Sequence, residues 1–196
     1  MKILIVSQYF FPENFRINDF ANGLVEKGNS VTVLCGIPNY PTGKYFKGYG
    51  LLKKKKEIYN KIRIIRVPLI PRKKGKGIEL LFNYISYLIS ASIQVVFIAK
   101  SNFHAIFVHE PSPITVGIPA IVLKKIKKIP IYFWALDLWP ESIKAAGNIN
   151  SKLIYFFALK ITEFIYRNSD KILVSSEGFI QSIINKGVPK HKIIFF

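Results

Sequence analysis

Asp137 and Glu141 stand either side of Trp139-Pro140 in the stretch Ile131–Ser142, IYFWALDLWPES. Two carboxylates so close, beside the indoles of Trp134 and Trp139, could orient a hydroxyl, take its proton and offer a flat apolar face to a ligand. The run before them, Ile131 to Leu136, is wholly apolar and β-rich, as in a parallel strand buried on both faces. Asp137 therefore leaves the sheet at a carboxyl end, where ligands sit in open α/β folds. Packing explains an acid poorly at the exit of such a strand, and dehydration there raises its pKa unless it is hydrogen-bonded. His109 ends a similar run, Ala105–His109, and can be read as a hydrogen-bonded structural residue or as a binding and catalytic group.

The elements that must position these residues alternate along the chain. Strands are predicted at Lys2–Gln8, Ser30–Leu34, Ile62–Pro68, Ala105–His109, Ile131–Leu136, Lys171–Val174 and Ile193–Phe196. Helices are predicted at Phe15–Lys27 with Asn14 as N-cap, at Ile114–Lys128, and at Ser176–Lys186. A further helix, Ser151–Arg167, is expected to turn Ile154, Phe157, Ala158, Ile161, Phe164 and Ile165 inward. Alternation of this kind means an α/β fold, a doubly wound, Rossmann-like parallel sheet ordered 3-2-1-4-5-6-7, with its crevice between the first and fourth strands. Tyr9, His109 and Asp137 would project near that crevice. The first turn, Tyr9 to Asn14, has no glycine to let a backbone approach a pyrophosphate, which argues against a dehydrogenase.

A chain of 196 residues suffices for one domain with a full core. Its formal charge of +18 predicts a polyanionic partner. Lys44–Lys76 holds thirteen lysines and arginines against one acid, Glu57, and so carries +12 of that charge. The loop Gly36–Lys56 interleaves those lysines with Tyr40, Tyr45, Phe46 and Tyr49, which could stack on sugars or bases, rest on a membrane, or fold beneath the loop. Leu80–Ala99 is uncharged and long enough to span a bilayer, but Asn83, Ser86, Ser90, Ser92 and Gln94 interrupt it. A crossover helix packed on the domain is the favoured reading, ahead of an interfacial helix and a true span. Arg72, Lys73, Lys74 and Lys76 precede it and would suit an anionic lipid surface. The sole cysteine, Cys35, reads as a buried structural thiol. Without a signal-peptide pattern at the amino terminus, the expected location is the reducing cytoplasm.

Six motifs, QYFFPE (Gln8–Glu13), FRINDFANGLVEKG (Phe15–Gly28), GIPNYPTG (Gly36–Gly43), HEPSP (His109–Pro113), DLWPES (Asp137–Ser142) and VSSEGF (Val174–Phe179), occur in an order and spacing that resemble the amino-terminal half of bacterial family 4 glycosyltransferases of the WbuB-like subgroup. The resemblance covers essentially the whole chain. It implies a GT-B architecture in which the first of two Rossmann-like domains grips the acceptor. It also implies retaining transfer, without metal or cofactor, from a nucleotide-sugar substrate to a lipid-linked saccharide in O-antigen or capsule synthesis.

In that picture Asp137 and His109 are the catalytic candidates, and Tyr9, Arg16, Tyr40, Trp139 and Glu141 bind substrate. Arg16 would supply charge where many members of the family have a Gly-Gly pair. The region corresponding to the donor-binding domain, with its glutamate pair and phosphate-binding Arg and Lys, lies beyond Phe196. The resemblance thus implies half an enzyme, inactive alone, with a separate donor-domain polypeptide as a candidate partner. A non-catalytic, membrane-associated binding or scaffold protein is the alternative. Nucleic acid would account for the charge but not for DLWPES.

Overall fold

Branched side chains in the run Ile3-Leu4-Ile5-Val6 suit a pleat covered on both faces, and they form β1 (Lys2–Ser7) in a computed structural model that describes residues 1–145 and 151–196. The further strands are β2 (Ser30–Gly36), β3 (Lys56–Tyr59), β4 (Ile62–Val67), β5 (Ala105–Glu110), β6 (Ile131–Ala135), β7 (Lys171–Val174) and β8 (Ile193–Phe195). They form one sheet in the order β3-β4-β2-β1-β5-β6-β7-β8, parallel throughout except for the antiparallel edge pair β3 and β4. The expected seven-strand order and the Rossmann-like fold class hold. The sequence reading missed only β3, whose KEIY continues a lysine run and leaves Ile58 exposed.

The helices are α1 (Arg16–Glu26), α2 (Gly77–Ile98), α3 (Gly117–Lys127), the short α4 (Glu141–Ala145), α5 (Lys152–Asn168) and α6 (Glu177–Asn185). One sheet face packs against α2, α3, α5 and α6 through Leu4, Val6, Ile106, Val108, Tyr87, Ala91, Leu123, Ile165 and Ile183. The other face packs against α1 through Ile5, Phe107, Ile17 and Ala21. Each such fully buried aliphatic side chain contributes about 1.5–3 kcal/mol. Gly117 lets α3 approach closely, because a Cβ there would stand 2.7 Å from Ile165 Cγ2.

Two local expectations are corrected. The residue flanking α1 is Phe15, not Asn14, and it makes no side-chain cap; Asn18 instead accepts from Phe11 N and donates to Glu13 O. On α5 the buried residues are Ala158, Thr162, Ile165 and Tyr166, while Ile154, Phe157, Ile161 and Phe164 are exposed, because a helix that is apolar all round does not declare its inner face. The helix α2 packs on the sheet through Asn83, Tyr87, Ala91 and Val95. This matches the favoured crossover reading, although α2 is also long and apolar enough to cross a membrane. Its opposite stripe, Ile78, Leu81, Phe82, Ile85, Ile89, Ile93, Val96 and Phe97, is exposed.

Candidate active site

Parallel pairing of β1 with β5 sets Ser7 opposite His109 at the carboxyl edge of the sheet. The Ser7 hydroxyl donates to Tyr9 O at 2.6 Å, which uses its one proton, so His109 Nδ1 at 2.9 Å must be the donor to Ser7 Oγ. Burial lowers the His109 pKa to about 3. The imidazole is therefore neutral at physiological pH, protonated on Nδ1, with its lone pair on Nε2. Phe15 and Trp134 pack against its ring. The hydrogen-bonded structural reading of His109 thus describes Nδ1, while Nε2 keeps the capacity to accept a hydrogen bond from a hydroxyl.

Beyond Ser7 the chain turns into a cradle of rings. Tyr9 stacks on Phe15 at 5.0 Å, and Tyr40 tilts against both, 5.7 Å from Tyr9 and 5.3 Å from Phe15. The Arg72 guanidinium lies 4.9 Å from the Tyr40 ring centroid and donates to the Tyr9 hydroxyl at 3.4 Å. Arg72, expected among the membrane-facing cations, is held at this site because Asn39 Oδ1 accepts from its backbone N–H and its head seats over Tyr40. Lys73, Lys74 and Lys76 remain exposed.

Two polar anchors hold the cradle. Glu13, only 2% exposed, accepts from Asn39 N at 2.8 Å and Tyr40 N at 2.7 Å through Oε1, and from Phe10 N at 3.3 Å through Oε2. Gln8 donates to Asn83 Oδ1 at 2.6 Å, and Asn83 donates to Ile70 O at 2.6 Å, tying α2 to β1. The loop around Tyr40 also needs Gly43, at φ +73, where a Cβ would collide with the Lys73 carbonyl. Tyr45 donates to Leu69 O, and Tyr49 packs beneath Lys54 and Arg66. Those two rings fold under the loop, while Tyr40 joins the site.

Asp137 is half-buried where the chain leaves β6. Burial raises its carboxyl pKa, with Ser142, the Leu138 N–H and Trp139 partly offsetting this and Glu141 adding to it, in the expected direction. Glu110, the last residue of β5, is wholly buried, and burial pushes its pKa well above the carboxylate range, with the Asp137 charge adding to this and the Asp137 and Leu136 N–H groups opposing it. Tyr84 connects the two halves of the site. Its phenol pKa is raised first by burial, and it lies close enough to Arg72, Asp137 and Glu110 to feel their charges. Ser112, which also tempers the Tyr84 shift, has a φ of 135° that is strained for a residue with a Cβ.

The remaining candidates are placed differently. Glu141 Oε1 accepts from Lys186 and from Ser182, which ties α4 to α6; its Oε2 is buried without a protein partner. Arg16 is exposed at the first residue of α1, next to Phe15 of the cradle. Cys35 is buried, its thiol pushed up to about 12 by burial, as expected of a structural residue. Among the described residues no three His, Cys, Asp or Glu side chains gather as metal ligands. Sequence reading missed Glu13, Asn39, Asn83, Tyr84 and Glu110 as members of the site. The signals available were an amide inside an uncharged helix and an acid inside an apolar strand.

Aromatic rings, a guanidinium, a neutral imidazole and a carboxyl of raised pKa thus gather at the carboxyl end of the sheet, Tyr9 and His109 buried and Tyr40, Arg72 and Asp137 at least partly exposed. That set can hold a polyhydroxylated ligand and orient or deprotonate one of its hydroxyls. No curated protein matches the chain in sequence. Solved structures with the same fold include the lipopolysaccharide outer core galactosyltransferase WaaB (11% identity, TM-score 0.53, 99% of this chain and 44% of that one). Others are HepE from Anabaena in complex with UDP and glucose (14%, 0.58, 100% and 44%) and UGT89C1 from Arabidopsis thaliana complexed with UDP (11%, 0.55, 99% and 48%). The chain spans less than half the length of each of these structures, and its sheet corresponds to a single Rossmann-like GT-B domain. The family model for Glycosyltransferase Family 4 matches residues 15–195, and on that match the chain belongs to glycosyltransferase family 4.

Proposed function

We propose that this domain forms the acceptor-holding wall of a glycosyl-transfer cleft, in which a sugar passes with retention from a nucleotide-sugar to a lipid-linked saccharide of bacterial surface polysaccharide. The observation that carries the reading is the cradle of Tyr9, Phe15, Tyr40 and Arg72 at the carboxyl end of the sheet, with Tyr84 near enough to Arg72, Asp137 and Glu110 to feel all three charges. The rings present apolar faces to sugar C–H groups. Arg72 and Arg16 supply charge for an acceptor diphosphate. His109 Nε2 accepts from a sugar hydroxyl, and Asp137 orients the reacting hydroxyl or takes its proton.

In this reading the nucleotide-sugar is a substrate gripped mainly by a second domain, in the same polypeptide or a partner, and this domain alone transfers nothing. The six motifs support the WbuB-like subgroup within the family. The exposed stripe of α2 and Lys73, Lys74 and Lys76 hold it peripherally on the inner face of the plasma membrane.

Titration of the chain with a polyprenyl-diphosphate-linked saccharide, followed by tryptophan fluorescence, tests this. Saturable binding is expected, weakened about tenfold by Tyr40→Ala or Arg72→Gln, the worth of about one hydrogen bond or ring contact each. Binding of nucleotide-sugar with none of the lipid-linked saccharide would overturn the assignment.

A further inference from the structure

A second concave site lies at the opposite, amino-terminal edge of the sheet. Residues after α2 lead down to the start of β5, and beneath them opens a pocket of about 390 Å³ lined by Lys2, Lys61, Arg63 and Lys100, with Thr32 and Asn102 among its polar groups. The lining holds four cations and no acid, and none of the four is in an ion pair among the described residues. Strand parity explains the convergence. Lys2 shares the α2-facing side of β1 with Leu4, Thr32 shares that side of β2 with Leu34, and Arg63 shares that side of β4 with Ile65. Four like charges around one concavity repel one another, and an anion is the ligand chemistry that relieves this.

The pocket's neighbour indicates which anion. At 22 residues α2 is about 33 Å long, and its outward stripe is apolar from Ile78 to Phe97. Lys73, Lys74 and Lys76 stand at one end of that stripe and the pocket at the other. Cations at both ends of an exposed apolar helix face complement an anionic bilayer, whose headgroups carry phosphate above an apolar interior. We propose that this pocket seats the phosphate of an anionic phospholipid headgroup while the outward stripe of α2 lies in the bilayer interface. The proposal rests on the membrane reading of this chain and assigns that attachment a specific lipid site, remote from the acceptor cradle.

The test is co-sedimentation of the chain with vesicles of phosphatidylcholine alone and of equal parts phosphatidylcholine and phosphatidylglycerol. It uses the wild type, R63Q/K100Q, the charge-retaining R63K/K100R, and K27Q/K190Q, whose exposed lysines lie outside the pocket and whose charge change is the same. The wild type is expected to bind the anionic vesicles. R63Q/K100Q should lose about thirtyfold in affinity, at about fivefold per cation held at the surface. K27Q/K190Q should lose less than about threefold by long-range screening alone, and R63K/K100R should bind as the wild type does.

Equal loss in the pocket and control pairs would overturn the pocket while leaving membrane attachment in place. A wild type that stays in the supernatant would overturn both. Inorganic phosphate that raises the melting temperature of the wild type but not of R63Q/K100Q, with vesicle binding unchanged, would assign the pocket to a soluble phosphate instead. RNA retention lost in R63Q/K100Q, again with vesicle binding unchanged, would assign it to nucleic acid.

Discussion

Replacing Glu13 with Gln should change how the stability of this domain depends on pH. Glu13 is almost fully buried beneath the cradle, and burial raises its pKa from 4.5 to about 7, against the backbone donors of Tyr40, Asn39 and Phe10 and the charge of Arg66. Its folded-state pKa therefore lies above the unfolded one. Below about pH 4.5 both states are protonated and the full stability is present. As pH rises toward 7 the unfolded chain releases the proton while the folded chain retains it, so stability falls. The shift is worth about 3 kcal/mol at about 1.4 kcal/mol per pH unit.

Gln cannot titrate, yet its amide oxygen can still accept from Asn39 and Tyr40, the two short bonds; the longer contact with Phe10 is the one lost. Urea unfolding of wild type and Glu13→Gln across this range should therefore diverge. The wild type loses about 3 kcal/mol relative to the variant between about pH 4.5 and 7, with matching m-values. A difference that stays flat over that interval would show that the three backbone donors keep the carboxylate ionised, and the reasoning from burial would fail. Because the same bonds place Tyr40 against Tyr9 and Arg72, Glu13→Ala should also weaken saccharide binding where Glu13→Gln spares it.

Other perturbations give separate checks. In a form that joins this domain to a donor-binding domain, Asp137→Asn should cost roughly 10²–10⁴ in turnover with melting nearly unchanged; wild-type turnover would make Asp137 a turn residue. Glu110→Gln should change unfolding free energy at neutral pH by less than about 1 kcal/mol, since burial favours the uncharged carboxyl that Gln mimics; a cost of several kcal/mol in thermal melts would mean the acid is ionised. Asn83→Leu should cost about 2–5 kcal/mol in urea unfolding, because Gln8 and the Ile70 carbonyl both lose their partner. A loss under about 1 kcal/mol would separate α2 from the anchoring of β1.

Strand order was legible because β1, β2, β5 and β6 are apolar runs that only a sheet covered on both faces satisfies. The inner face of α5 was not, since Ile154 and Phe157 are as apolar as Ile165 and only the position of α3 decides between them. Asp137 and His109 could be read from the strand exits. The anchoring role of Glu13 could not, because its partners Asn39 and Tyr40 lie 26 and 27 residues away across a loop with no periodicity. Arg72 was read with its lysine neighbours, and what separates it from them is a Tyr40 ring that sequence distance conceals.

Because β1 pairs with β2 on one side and with β5 on the other, the centre of the sheet joins residues far apart in the chain; Ser7 and His109 are 102 positions apart. On a ribosome that interval is roughly 5–20 s of elongation. During that time β1, β2 and β4 can assemble with α1, but the β1 edge is left without its neighbour. The exposed stripe of α2 also leaves the exit tunnel before α3, against which α2 packs, has been made. Each newborn chain thus passes through an interval in which an apolar helix and an open strand edge are presented together, and a nearby bilayer would shield the helix while the second half of the sheet is synthesised.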